Sequence, residues 1–347
     1  MYIKRILLGI ALVGLIGGGI FAYIVFGTFF TPNTNFNNDE AIVFIPSNAS
    51  VSDLEERLAP LLEDFGSFKS AAERKGYISN IKPGRYRVAK GMNNNEIVNS
   101  LRSGNLPVKV SFNNQESIND LAGRIASQIE ADSVALLAAF DDKEFLKASG
   151  FDDDNKISLY IPNSYEFFWN TSAEGFRGRM LKEYNRFWTD TRKEKASALG
   201  LKPNEVIALA SIVHKETAKV DERPTVAGVY LNRLRKGMLL QADPTVIYAI
   251  KKETGNYDTI IKRVLYRDLE MDSPYNTYKY AGLPPGPIAM PDITAIDAVL
   301  NPKKHNYYYF VANVEKFGYH MFAENLTQHN RNKEQYIRWI NAQKINR

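Results

Sequence analysis

The chain contains no cysteine. That excludes disulfides, thiolate-rich zinc or iron–sulfur sites, a cysteine nucleophile and a lipidated N-terminal cysteine. Histidine is nearly as scarce. The four present, His214, His305, His320 and His329, never fall at ligand spacing within one helix, and no His-Glu-x-x-His occurs. His214-x-Glu216 superficially matches a zinc deaminase signature, but that chemistry also needs Pro-Cys-x-x-Cys. A Gly-x-Ser-x-Gly elbow, a Walker A loop and a dinucleotide fingerprint are all missing. So is any basic tract interleaved with aromatics, and nucleic acid is not an expected partner. Neither a metal nor a cofactor is expected.

What is present bounds the rest. The 347 residues suffice for two ordinary domains, and 44% hydrophobic with 24% charged residues is foldable globular composition. The net charge of +5 suits an acidic partner such as a membrane surface or an anionic polymer. At the N-terminus, Lys4 and Arg5 precede an uncharged run from Ile6 to Phe30, apolar up to Phe26 except for glycines. As a helix at about 1.5 Å per residue, the segment from Ile6 to Phe26 spans about 31 Å, the thickness of a hydrocarbon core. The first charges after it are Asp39 and Glu40. The positive-inside rule therefore puts the N-terminus in the cytoplasm and the rest outside. Gly27-Thr28-Phe29-Phe30-Thr31 is a poor cleavage site, so the run reads as an uncleaved anchor rather than a signal peptide. Thr31 to Asn38, rich in Asn, reads as a polar linker.

One pattern then recurs three times. Ile45-Pro-Ser-Asn-Ala-Ser50-Val51-Ser-Asp53-Leu54 lines up with Phe112-Asn-Asn-Gln-Glu-Ser117-Ile118-Asn-Asp120-Leu121, and a weaker copy runs from Val88 through Asn93 and Glu96 to Leu101. Each has a short β-type segment, a polar turn, a Ser or Asn at the N-cap and an acid three residues on, the signature of a capping box. Apolar residues at helical spacing follow. The unit is strand–turn–helix, and three irregularly spaced copies predict a small α+β module rather than a solenoid. The phrase Lys82-Pro83-Gly84-Arg85-Tyr86-Arg87-Val88 with Lys90-Gly91-Met92 resembles LysM-type modules, which bind N-acetylglucosamine polymers. A structural spacer is the alternative reading of these units.

From about Asn155 the sequence turns helical. Ala173 to Thr189 carries an aromatic stripe (Phe176, Tyr184, Phe187, Trp188) expected in the core. Pro203, Pro224 and Asp243-Pro244 each open a helix, with Asp243 and Asp292 expected as caps. Tyr307 to Ala312 and Gly318 to Ala323 read as a β-hairpin, and a polar helix is expected from Glu324 to Lys344. The helix from Pro203 to Thr217 is apolar on nearly every side and should be buried. Glu216 lies three, four and seven residues after Val213, Ile212 and Leu209, so it shares their face. It also sits at the negative end of the helix dipole. Desolvation and dipole both disfavour its carboxylate, leaving a carboxylic acid able to donate a proton near neutral pH.

Ala210-Ser-Ile-Val-His-Lys-Glu-Thr217, Glu222-Arg-Pro-Thr-Val-Ala-Gly-Val-Tyr-Leu-Asn232-Arg233, Gly237-Met-Leu-Leu-Gln241-Ala-Asp243-Pro-Thr245, Ser273-Pro-Tyr-Asn276-Thr-Tyr278 and Gly282-Leu-Pro-Pro-Gly-Pro-Ile288 together resemble the MltG (YceG-like) family of endolytic murein transglycosylases. Phe310-Val-Ala, His320-x-Phe322 and Ile161-Pro-Asn-Ser-Tyr165 extend the likeness. It implies a single-pass inner-membrane enzyme: anchor 1–30, linker 31–39, LysM-like α+β module 40–150 and a mainly helical catalytic domain 151–347. The substrate it implies is peptidoglycan, cut after N-acetylmuramic acid within nascent strands to leave 1,6-anhydro ends. Cell wall synthases are the implied partners. Where the family usually reads Glu-Lys-Glu, this chain has His214-Lys215-Glu216, so the catalytic role carries over to Glu216. Met290 stands where an Asn is usual. Asn232, Gln241, Asn276, Tyr278 and His320 are the expected sugar-binding residues.

A lytic transglycosylase needs one carboxyl, first as acid to the leaving oxygen and then as base to the sugar's own C6 hydroxyl. A hydrolase of the usual glycosidase kind needs two, and Glu222 or Asp243 would be the second here. A non-catalytic glycan-binding scaffold is the third reading.

Overall fold

The computed structural model describes residues 2–342, so the end of the last helix, expected to reach Lys344, lies outside the described residues. The chain is mixed helix and strand with three small two-stranded sheets among the described residues. It divides into two compact units, Met1–Val110 with Gln128–Ala131 and Tyr165–Ser172, and Ser111–Ser127 with Asp132–Ser164 and Ala173–Arg347. The third strand, β3 (Pro107–Phe112), pairs with β4 (Asn163–Phe168) instead of joining the first sheet.

In the first unit, α1 (Tyr2–Phe30) is an uninterrupted helix with no buried residue, long and apolar enough to cross a membrane. β1 (Glu40–Ile45) pairs antiparallel with β2 (Gly84–Ala89), Ile45 facing Gly84 and Glu40 facing Ala89. Alternation directs Val43, Ile45, Tyr86 and Val88 inward. Against them pack Leu54 and Leu58 of α2 (Val51–Leu58), Phe68 of α3 (Phe65–Arg74), and Ile97, Val98 and Leu101 of α4 (Asn94–Ser103). Both expected capping boxes form, Ser50 with Asp53 and Asn93 with Glu96, which fixes where each helix starts. The segment 31–39 is not a free linker. Asn33 is buried and donates to Asn94 Oδ1 (2.7 Å) and to the Asp64 carbonyl (2.9 Å), while Asn94 donates to the carbonyl of Thr28 (2.8 Å). An asparagine run reads as linker by composition, but here the Asn33 amide also accepts from the Asp64 N–H (2.9 Å), which ties the segment to the fold.

The second unit is mainly helical. It contains α5 (Ile118–Ala126), begun by the Ser117–Asp120 capping box, then α6 (Ser133–Phe140), α7 (Lys143–Ala148) and α8 (Ala173–Phe187). The stripe on α8 is core at Phe176, Met180 and Tyr184, continued by Trp188. After α9 (Asp190–Ala198) comes α10 (Pro203–Glu216), its first turn tied by Glu205 accepting from the Lys202 N–H (2.7 Å). Val206 to Val213 are all buried, and α10 packs against α11 (Arg223–Arg235), α12 (Asp243–Thr254) and α13 (Ile293–Leu300). β5 (Tyr309–Ala312) and β6 (His320–Ala323) pair antiparallel, and α14 (Leu326–Ala342) follows.

Two expected caps take other work. α12 starts after Ala242, so Asp243 lies inside its first turn and accepts from the Tyr278 hydroxyl instead. Asp292 stands at the N-cap of α13 but makes no capping bond; its carboxylate goes to Arg223 (3.1 Å). The Pro-rich loop 282–291 lies tight on the helices. Ile288 N–H donates to the buried Ser211 hydroxyl (3.0 Å), and a Cβ at Gly286 would stand 1.9 Å from the Asp154 carbonyl oxygen, so only glycine fits.

Candidate active site

Glu216 is the last residue of α10. As a residue it is only partly exposed, and its carboxyl is enclosed by protein. Burial is the main cause of a pKa pushed up to about 6. The Asp243 charge adds to that rise, while the Tyr230 hydrogen bond and the charges of His320 and Arg233 oppose it. The buried Tyr230 hydroxyl on α11 donates to Glu216 Oε1 at 2.6 Å. A donor aimed at one oxygen orients the carboxyl and leaves the other for a proton.

Around this pair stand residues from four other segments. Arg233, buried on α11, donates to the carbonyls of Leu240 (2.5 Å) and Tyr308 (2.6 Å), joining α11 to the loop before α12 and to the segment before β5. Tyr278 donates to Asp243, and burial raises its hydroxyl pKa, as does that bond. Phe310 of β5 meets the Tyr230 ring edge-to-face (5.9 Å) and the His320 ring likewise (5.0 Å). His320, first residue of β6, is held by Glu222: its main-chain N–H donates to Oε1 at 2.7 Å, and its ring Nδ1 lies 2.8 Å from Oε2. Burial works against the Glu222 charge, yet these bonds and the His320 charge outweigh it and hold the carboxyl below the usual glutamate range.

The five expected sugar-binding residues separate into two groups. Gln241 is exposed, its side chain makes no hydrogen bond among the described residues, and its backbone sits at φ 48°, the only non-glycine in the left-handed region there. That conformation is braced by its N–H donating to the Thr277 carbonyl (3.0 Å) and by Ala242 N–H to Thr277 Oγ1 (3.0 Å). Strain held in place by its surroundings is typical of functional positions. Gln241 thus stands with Tyr278 and His320 as polar groups still open to a ligand.

Asn232 and Asn276 are bound into the fold. Asn232 donates to the carbonyls of His305 (2.9 Å) and Tyr307 (3.0 Å) and accepts from Arg235 (2.6 Å). Asn276 is fully buried, donates to Leu269 and Met271 carbonyls (2.8 Å each) and accepts from Tyr278 N–H (3.0 Å). Each amide staples a loop, with both of its N–H groups given to main-chain carbonyls. Met290 is core as well: it is buried, and its backbone bonds to Gln115 and Asn114. His214 is engaged with other groups, its Nδ1 lying 3.3 Å from Asp292 and 3.2 Å from Arg223, and Lys215 pairs with Glu116. Sequence reasoning did not single out Tyr230 or Arg233; a tyrosine and an arginine on the buried side of an apolar helix were the available signal.

The arrangement is a carboxyl of raised pKa, held by one tyrosine hydroxyl, within a chain of mixed helix and strand. A family model, that of the YceG-like family, matches residues 43–335, and the chain belongs to that family. It is 33% identical over 315 residues to the endolytic murein transglycosylase of Bacillus subtilis (strain 168), a match covering 84% of each chain. The endolytic murein transglycosylase of Streptococcus pneumoniae (strain R6) is 28% identical, over 93% of this chain and 63% of its own. A crystal structure of a yceG-like protein from Listeria monocytogenes superposes with a TM-score of 0.57 at 28% identity, covering 85% of this chain and 99% of that one.

Proposed function

We propose that this protein is an endolytic murein transglycosylase, a lytic enzyme acting on peptidoglycan, with Glu216 as acid and then base. The observation that carries the reading is a carboxyl with a pKa pushed up to about 6, while its neighbours are engaged elsewhere, Glu222 held below the usual glutamate range by His320 and Asp243 accepting from Tyr278. A proton held at that strength suits transfer to a glycosidic oxygen near neutral pH. With the proton gone, the same carboxylate takes the C6 hydroxyl proton as that oxygen closes on C1. The products are a free GlcNAc 4-hydroxyl and a 1,6-anhydroMurNAc end. Gln241, Tyr278 and His320 bind and orient the sugar.

In this reading α1 anchors the chain in the cytoplasmic membrane with the N-terminus inside, and cutting nascent strands beside the cell wall synthases limits their length. The strand–turn–helix units act as a LysM-like glycan-binding module. A folded fragment of that module should co-sediment with sacculi, and failure to do so removes the module's binding role. For the enzyme, Glu216→Gln keeps size and most hydrogen bonding but removes the proton. Cleavage of purified sacculi should fall about 10⁴-fold, the upper end for general acid–base catalysis, with circular dichroism unchanged. Near-native cleavage by the folded variant would overturn the assignment.

A further inference from the structure

Glu222 is a buried carboxylate that the one-carboxyl mechanism leaves unused. It lies 98 residues from His320 in sequence, yet both of its oxygens face that one residue, Oε1 receiving the main-chain N–H and Oε2 lying against ring Nδ1. A carboxylate only accepts, so Nδ1 must be the protonated nitrogen. Nε2 is then the free ring nitrogen, with no protein partner among the described residues, on a side chain 16% exposed. The ring stands against Phe310, which also touches the Tyr230 ring, and Tyr230 holds Glu216.

We infer that Glu222 is a positioning residue: it fixes the tautomer and orientation of His320 so that Nε2 accepts a hydrogen bond from a glycan hydroxyl beside Glu216. This rests on the reading of Glu216 as the acid. The main-chain N–H of His320 decides what an amide in place of the carboxylate must do. In Glu222→Gln the amide oxygen stays with that N–H, so the NH₂ turns to Nδ1, which must become an acceptor. The ring proton moves to Nε2, and the sugar's acceptor becomes a donor.

Ring ¹⁵N chemical shifts separate the two tautomers, and with four histidines assignment is tractable. At a pH where the ring is neutral, the wild type should show His320 as the Nδ1–H form and E222Q as the Nε2–H form. The same variant should lose about 10- to 100-fold in kcat/KM, the worth of one hydrogen bond whose partner is left wrongly paired. H320Q should lose about as much, and the double variant no more than H320Q alone, since Glu222 acts through His320. A wild-type Nε2–H ring, cleavage by E222Q within threefold of wild type, or losses that multiply in the double variant would each overturn the inference. Should E222Q not fold, the wild-type spectrum and H320Q still decide, an H320Q that cleaves within threefold counting against it. The spectra need no substrate, so an error in assigning Glu216 leaves them readable.

Discussion

Glu216 closes α10 and Glu222 stands just before α11, and the protein treats the two carboxyls in opposite ways. Glu216 lies at the negative end of its helix dipole with one neutral donor, the Tyr230 hydroxyl. Glu222 lies at the positive end of the next, with two N–H donors from His320. Burial acts against the charge of both; at Glu216 it prevails and at Glu222 the hydrogen bonds do. The difference shows that burial alone does not make an acid. What matters is whether the fold supplies enough donors to repay the lost water, and at Glu216 it does not.

The widest consequence is in the pH profile. With Glu216 at about 6, kcat/KM should be level on the acid side of that value and fall about tenfold per pH unit above it. Between pH 6 and 8 the decline should be about 50-fold, and from the acid plateau to pH 8 about 100-fold. A profile flat to pH 8 would mean that Glu216 is not the proton donor or is not raised.

Stability should separate the two glutamates by sign. A folded pKa of about 6 against an ordinary 4.5 means the folded state holds the proton more tightly than the unfolded state. Ionising Glu216 therefore destabilises the fold as pH rises through that window, by about 2 kcal/mol once complete. Glu216→Gln should be more stable than wild type by about that amount at pH 8, with the gain vanishing below pH 4.5. Glu222→Gln should go the other way at pH 8, losing about 1–3 kcal/mol with its charge-assisted bonds. Urea denaturation at the two pH values checks both, and equal shifts of one sign would break the comparison.

Much of this was legible along the chain, because local rules fix local features. The capping boxes at Ser50, Asn93 and Ser117 start helices where they were expected, and the apolar body of α10 is buried with Glu216 at its end. What was not legible depends on residues far apart in sequence. Nothing near Glu222 announces His320, and nothing near Asn232 or Asn276 tells whether an amide faces a sugar or a backbone carbonyl. The segment 31–39 reads as linker by composition and is structured by Asn94 and Asp64. Asp243 has the sequence of a cap, and a tyrosine 35 residues away claims its carboxylate.

The claim that one carboxyl serves both half-reactions is tested most directly by digesting sacculi in H₂¹⁸O and weighing the muropeptides by mass spectrometry. The expected result is MurNAc ends lighter than reducing ends by one water, with no ¹⁸O incorporated, because the C6 hydroxyl rather than water attacks C1. Reducing ends carrying ¹⁸O would contradict it, and would place a second carboxylate, Glu222 or Asp243, in the role of activating water.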